Sequence, residues 1–472
     1  MTKPVRILAC VFAAVIVCVR AVQAQEADPA KPDPREQPVA PYLSALPAGR
    51  TSPVALDLGT GVQPSMDDRP LSGVQEQTLG QSLGARNFLV SSFSVTSQMA
   101  TSSSASGFVQ PTAFNYALGT LDLNRVSGRS ELLLHYTGGG MFSSYLNSAI
   151  QDLEFTYTAT RQRTSLLLGD EVSFLSESPF GFGGVGGLQF FSGPGISLNP
   201  ILAPNQSIPT IIAPRLSNTA VAQIEYKLSP RSSWTASGSY GTLDFFGANF
   251  INSTQGLFQT GYNYSLNPQS SIAVIYRAVG FIYTHLPLRI GDQVVQLGYA
   301  QNVTGKLSFQ VAAGPSMVLL RGMLTGNENQ YSWAVDSSLD YRIDRTMLLL
   351  SYNHLVNGGG GELVGVQTGQ TEATIQRKLS PRSQGSVSVG YATNDSLVPL
   401  PIALSHQNFS SWYAVARFDH QLNRGAGFFA SYGARLQATN APGCAARSCQ
   451  RNFISHAVSV GFTFGLRPRI LQ

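Results

Sequence analysis

The side chains that could do chemistry are few and scattered. Six histidines, His135, His285, His354, His406, His420 and His456, stand without the close spacing that metal ligands need. No HExxH helix, nucleophile elbow, phosphate loop or dinucleotide fingerprint occurs. Gly358–Gly361 is a run of glycines, but no helix pattern follows it that could hold a phosphate, so it reads as a loop tip. Asp419 and His420 are the nearest acid–histidine pair. Neighbours on a strand point to opposite faces, so these two cannot easily act together. The expectation is a protein that is not an enzyme and uses no cofactor or metal.

Charged residues suggest another use. Glu131, Glu154, Glu225, Lys227, Asp336, Asp340, Arg342, Glu372, Arg417, Asp419 and Arg435 recur on the polar side of segments that alternate with apolar residues. They are the candidates for lining a watery lumen. Both signs are mixed, so no single-sign field for strong ion selection is expected. The plainer alternative is that they pair across a wall and stabilise a closed lumen.

The elements that must position them are strands. Ala220, Ala222, Ile224, Tyr226 and Leu228 share one face, while Gln223, Glu225 and Lys227 share the other. The same period of two runs through Leu153–Thr158, Val335–Arg342 and Phe428–Leu436. Turn clusters punctuate it at Leu228–Ser232, Leu266–Ser270, Leu379–Ser383, Arg125–Arg129, Thr160–Arg163, Asn302–Gly305, Ile343–Thr346 and Asn423–Gly425. Pro presets a turn dihedral, and Asn, Asp and Ser bond their own backbone, so these are hairpin turns. Each repeat holds two strands of about 10–12 residues, near the length a tilted strand needs to cross a bilayer.

Aromatic residues fall at two levels. Tyr157, Tyr226, Tyr264, Tyr341 and Phe418 come just before tight turns; Tyr240, Tyr276, Tyr352, Tyr391 and Tyr432 come a strand length after them. Paired girdles of this kind mark headgroup levels around a membrane barrel. Only 12% of the chain is charged, against roughly 25% in globular domains. The fold expected is all-β, a transmembrane antiparallel β-barrel of about 18 strands over residues 86–464. Between 16 and 20 strands are compatible with the turns. The larger number would require a further hairpin inside 176–218, where many glycines and prolines argue instead for a long loop, one that could narrow the lumen.

The flanking segments differ. Residues 1–24 read as a secretory signal peptide, with Lys3 and Arg6 before an apolar run and small residues at Val22-Gln23-Ala24. Its removal would lower Lys+Arg from 31 to 28 against 26 acids, leaving about +2 and no nucleic-acid footprint. Residues 25–85 are Pro-rich and read as a periplasmic arm or linker that could meet a periplasmic partner. Cys444 and Cys449 suit a small disulfide-closed loop in an oxidising compartment better than a metal site.

The last strand carries a resemblance. Val458, Val460, Phe462 and Phe464 alternate with Ser459, Gly461 and Thr463 and end on an aromatic, which resembles the C-terminal assembly signal of bacterial outer-membrane β-barrel proteins. Gly465–Gln472 continues beyond it, whereas that superfamily usually stops at the aromatic. The resemblance implies recognition by the barrel-assembly machinery and outer-membrane lipid as surroundings. The function then expected is a porin-like channel for polar solutes. Alternatives are export of a secreted polysaccharide, or a closed surface scaffold or adhesin.

Overall fold

The computed structural model describes residues 87–104, 107–108, 112–143, 147–175, 215–246, 250–284, 286–322, 326–360, 363–398, 408–423, 425–439, 453–466 and 469–470. The expected signal peptide, the arm at 25–85, Cys444 and Cys449, His285, His406 and most of the 176–218 loop lie outside these residues.

The chain builds a wall of long strands. These are β1 (Phe88–Ser104), β3 (Thr112–Ser127), β4 (Ser130–Ser143), β5 (Asn147–Thr160), β6 (Thr164–Leu175), β7 (Arg215–Ser229), β8 (Ser232–Phe245) and β9 (Ser253–Asn267). They continue as β10 (Ser270–Tyr283), β11 (Leu288–Thr304), β12 (Leu307–Gly322), β13 (Gly326–Ile343) and β14 (Thr346–Gly360). The remainder are β15 (Leu363–Ser380), β16 (Ser383–Ser396), β17 (Asn408–Gln421), β18 (Ala426–Thr439) and β19 (Phe453–Gly465). Two-residue pieces, β2 (Gly107–Phe108) and β20 (Arg469–Ile470), pair with β1. Each long strand pairs antiparallel with its chain neighbours, and β1 pairs with both β3 and β19. The sheet therefore closes on itself as an 18-stranded barrel, with no free edge to template aggregation.

All eight expected turn clusters join consecutive strands. At the proline turns, Arg231 N–H donates to Ser229 Oγ at 3.1 Å, Gln269 N–H to Asn267 Oδ1 at 2.8 Å and Arg382 N–H to Ser380 Oγ at 3.2 Å. These are the side-chain turns that Ser and Asn favour, and pairing slips beside each one. The other turns include left-handed residues, Gly128 at φ 59° and Asp344 at φ 47°. Both are types that tolerate that region, as a short hairpin loop requires.

Three expectations need correction. Apart from β6, with 12 residues, the long strands exceed 10–12 residues and reach 18 in β13 and β15. The loop expected to end at 218 gives way to β7 at Arg215, where polar and apolar residues still alternate. No extra hairpin interrupts the wall there, since β6 pairs directly with β7 from Thr164↔Tyr226 to Leu175↔Arg215. Finally, the wall does not stop at Phe464. Gly465 pairs with Ser92, Leu466 N–H donates to Ser91 O at 2.8 Å, and β20 pairs Arg469 with Leu89. The extension lengthens the closing seam.

Alternation gives the wall two unlike faces. Phe93, Val95, Phe258, Val274, Leu297 and Val458 are among the large apolar side chains exposed outside. The opposite face of the same strands buries Ser94, Gln259, Asn263, Gln296 and Thr463. A soluble fold would be inside out by this measure; lipid reverses the sign of the hydrophobic term on the outer face.

Candidate functional site: the barrel lumen

Every expected lining residue falls on the inner face. Glu154, Asp336, Asp340, Glu372, Arg417 and Arg435 are buried there; Glu131, Glu225 and Asp419 are half-buried; Lys227 and Arg342 are exposed near the tight turns. Their strands position them through the period of two alone. The same rule applies to the aromatic levels: Tyr226 and Tyr264 below, and Tyr240, Tyr276 and Tyr432 above, are all exposed on the outer face.

Charges inside the wall are held by near neighbours. Arg417 donates through Nε to Asp419 Oδ2 at 2.9 Å and through Nη2 to Oδ1 at 2.7 Å, and its guanidinium sits 4.1 Å from the Phe429 ring centroid. Arg342 makes the same two-residue reach to Asp340, with Nη2 to Oδ2 at 2.7 Å. Arg435 donates to Gln437. A residue two further along a strand is on the same face, which is why these forks form within one strand. Asp419 and His420 point apart as expected, since His420 Nδ1 meets Ser383 Oγ at 2.8 Å and its ring stacks on Phe418 outside.

Several inner-face residues escaped the sequence reading: Asp122, His135, Asp152, Glu171, Arg277 and Asp292. Strand parity could have found each of them. His135 Nδ1–H donates to Asp122 Oδ1 at 2.6 Å, and its Nε2 is 3.0 Å from Thr137 Oγ1. Asp122, His135, Glu154 and Glu171 are register partners on β3, β4, β5 and β6, so one sector of the wall is acidic. Elsewhere Arg277 lies 3.9 Å from Asp336, which also accepts from Gln296 at 3.2 Å, while Ser316 donates to Asp292 at 2.5 Å. Outside that sector the two signs stand side by side, so charge is mixed over the whole lumen.

The largest departure from expectation is in the glycine run, at Gly358 and Gly359; Gly361 lies outside the described residues. Val356–Gly359 of β14 and Leu363–Val366 of β15 are buried throughout, where the wall elsewhere alternates. Val356 and Val364 join one apolar cluster with Val279, Phe281, Ile290 and Leu320, inner-face residues of β10, β11 and β12. Tyr283 Oη donates to Gly358 O at 2.7 Å. A Cβ on Gly358 would meet Phe281 at 2.8 Å, and one on Gly365 would meet Ile290 at 2.1 Å. Gly359 and Gly365 also adopt φ of 71° and 60°, open to glycine at little cost. The described ends of β14 and β15 thus turn into the barrel and seat against the inner wall formed by β10, β11 and β12. Leu397 N–H secures the β15 end by donating to Gly365 O at 3.0 Å.

Among the described residues, no group of histidines, cysteines and carboxylates is placed to hold a metal ion. A closed antiparallel barrel with short turns at one end, an apolar aromatic-girdled exterior and a polar interior is an outer-membrane β-barrel, and this chain has that architecture. No family model matches the chain, and no curated protein matches it either. Solved structures similar to it include OccK2 (OpdF) of Pseudomonas aeruginosa, at 10% identity over 80% of this chain and 98% of that one, with a TM-score of 0.44. A BenF-like porin of Pseudomonas fluorescens Pf-5 is 9% identical over 80% and 99%, with a TM-score of 0.43. The class rests on the chain's own strand pairing and two-faced wall.

Proposed function

We propose that the barrel is a porin-like channel for small polar solutes, narrowed by the β14–β15 hairpin end. The observation that carries this reading is the inner face itself, rich in Ser, Thr, Asn, Gln and charged residues along a closed wall of 18 long strands. Barrels of that size enclose an aqueous channel unless something fills them. Catalysis forms no part of this reading. Conductance of the purified protein in planar bilayers tests it. Discrete, stable current steps are the expected result, and silence from an intact, heat-modifiable barrel would sink the channel.

A second reading, a closed scaffold with its function in the loops, is favoured by one observation. The apolar cluster around Val356 and Val364 occupies lumen space that solutes would need. The same recording separates the two. Polysaccharide export would depend on the arm at 25–85, which lies outside the described residues.

A further inference from the structure

The tight-turn end of the barrel, which in such barrels faces the periplasm, carries a concavity of about 550 Å³ outside the lumen. It is lined by Arg129 and Ser130 of the β3–β4 turn, Tyr157 and Thr160 of β5, and Arg161 and Arg163 of the next turn. All three arginines are exposed, and none makes an ion pair among the described residues. No carboxylate lines the concavity. Its backbone is fixed: Thr160 N–H donates to Arg129 O at 2.8 Å, Arg161 N–H to Thr164 O at 2.7 Å, and Lys227 N–H to Arg163 O at 2.8 Å. Tyr157 Oη donates to Ser130 Oγ at 3.2 Å, holding the ring at the lower girdle.

The surface directly above is apolar. Leu132, Tyr157 and Leu168 are register partners across β4, β5 and β6, followed by Leu134 and Phe155 one step higher. Phe155 and Leu168 are exposed on the outer face. Three guanidinium forks at headgroup depth, continuous with an apolar stripe, match a molecule with an anionic phosphate at one end and hydrocarbon at the other. Basic clusters at a membrane edge attract anionic lipid in the same way.

We propose that Arg129, Arg161, Arg163 and Tyr157 form a binding site for the phosphate headgroup of an anionic phospholipid, whose acyl chains lie along the Leu132–Phe155–Leu168 stripe. The site would hold one lipid at the seam between two turns, whether or not the lumen conducts.

The test uses the full chain in phosphatidylcholine nanodiscs containing a minority of phosphatidylglycerol. After mild detergent extraction, native mass spectrometry identifies the retained lipid. Phosphatidylglycerol should be retained several-fold above its share of the bilayer, and R129Q/R161Q/R163Q should bring it back to that share. The lysine triple variant, R129K/R161K/R163K, should keep most of the enrichment, and R231Q/R345Q/R382Q, at other turns, should keep all of it. Heat-modifiable mobility confirms that each variant is folded. Equal retention by wild type and the glutamine variant would overturn the site. Loss with the distant triple as well would reduce it to a general charge effect of the rim. Displacement of the lipid by excess inorganic phosphate would overturn the lipid assignment in favour of a free anion.

Discussion

Arg417 has 3% of its side chain exposed; Asp419 accepts from its Nε and Nη2 and Phe429 offers a ring face, while Nη1 is buried without a hydrogen-bond partner among the described residues. Asp419 itself is 36% exposed, so the pair's value lies mostly in what it spares the arginine. Asp419→Ala should therefore cost about 2 kcal/mol, the usual scale for losing hydrogen bonds to a charged group. Urea unfolding of the protein in lipid vesicles, followed by tryptophan fluorescence, measures it. A change within about 0.5 kcal/mol, the level of an ordinary surface substitution, would mean the guanidinium finds other partners. Arg342, 49% exposed beside Asp340, should show a much weaker dependence, as solvent screens it.

At the scale of elements, the β14–β15 hairpin and β19 do different things with the same strand geometry. The hairpin leaves the wall because glycines let it: Gly365 combines a left-handed φ with a Cβ position only 2.1 Å from Ile290. Gly365→Val meets both obstacles, with about 1–2 kcal/mol from the backbone alone. The expected outcome is an unseated hairpin and a several-fold larger single-channel conductance; unchanged current would show that the hairpin does not limit passage. The closing strand presents Val458, Val460, Phe462 and Phe464 to lipid, with Phe464 paired to Phe93 across the seam. Phe464→Ser should lower the yield of folded, heat-modifiable barrel in the membrane. Normal assembly would remove the reading of this strand as an assembly signal.

At the scale of the whole molecule, the balance of the lumen charges matters. Asp122, Glu154 and Glu171 gather on β3, β5 and β6, but Arg215 is buried on the adjoining β7, and Arg277 and Arg417 stand beside Asp336 and Asp419, so the lumen as a whole stays mixed. Such a wall should select weakly between small ions. Reversal potentials in a potassium chloride gradient should stay close to zero; strong cation or anion preference would mean that one sector alone borders the path. The exterior sets the other global property, since a continuous apolar band between two aromatic levels fixes the depth of the barrel in its bilayer.

Much of this was legible in the residues because its causes are local. A two-residue period decides which face each side chain takes, and Pro230, Asn267 and Ser380 decide where the chain reverses. Strand number, closure, both girdles and the inner-face placement of Glu154, Asp336 and Arg417 follow from those rules. By itself, then, the sequence determined a barrel of about 18 strands with a polar inside. Only the tertiary structure decided what fills that inside. In the sequence Gly358 and Gly365 look like parts of any loop end until Phe281, Tyr283 and Ile290 are brought to face them from strands some 70 residues earlier. Likewise, Asp122, Glu154 and Glu171 become one acidic sector only through strand register. Period and turn chemistry act over a few residues, whereas a seat across the lumen depends on contacts that exist only once the wall has closed.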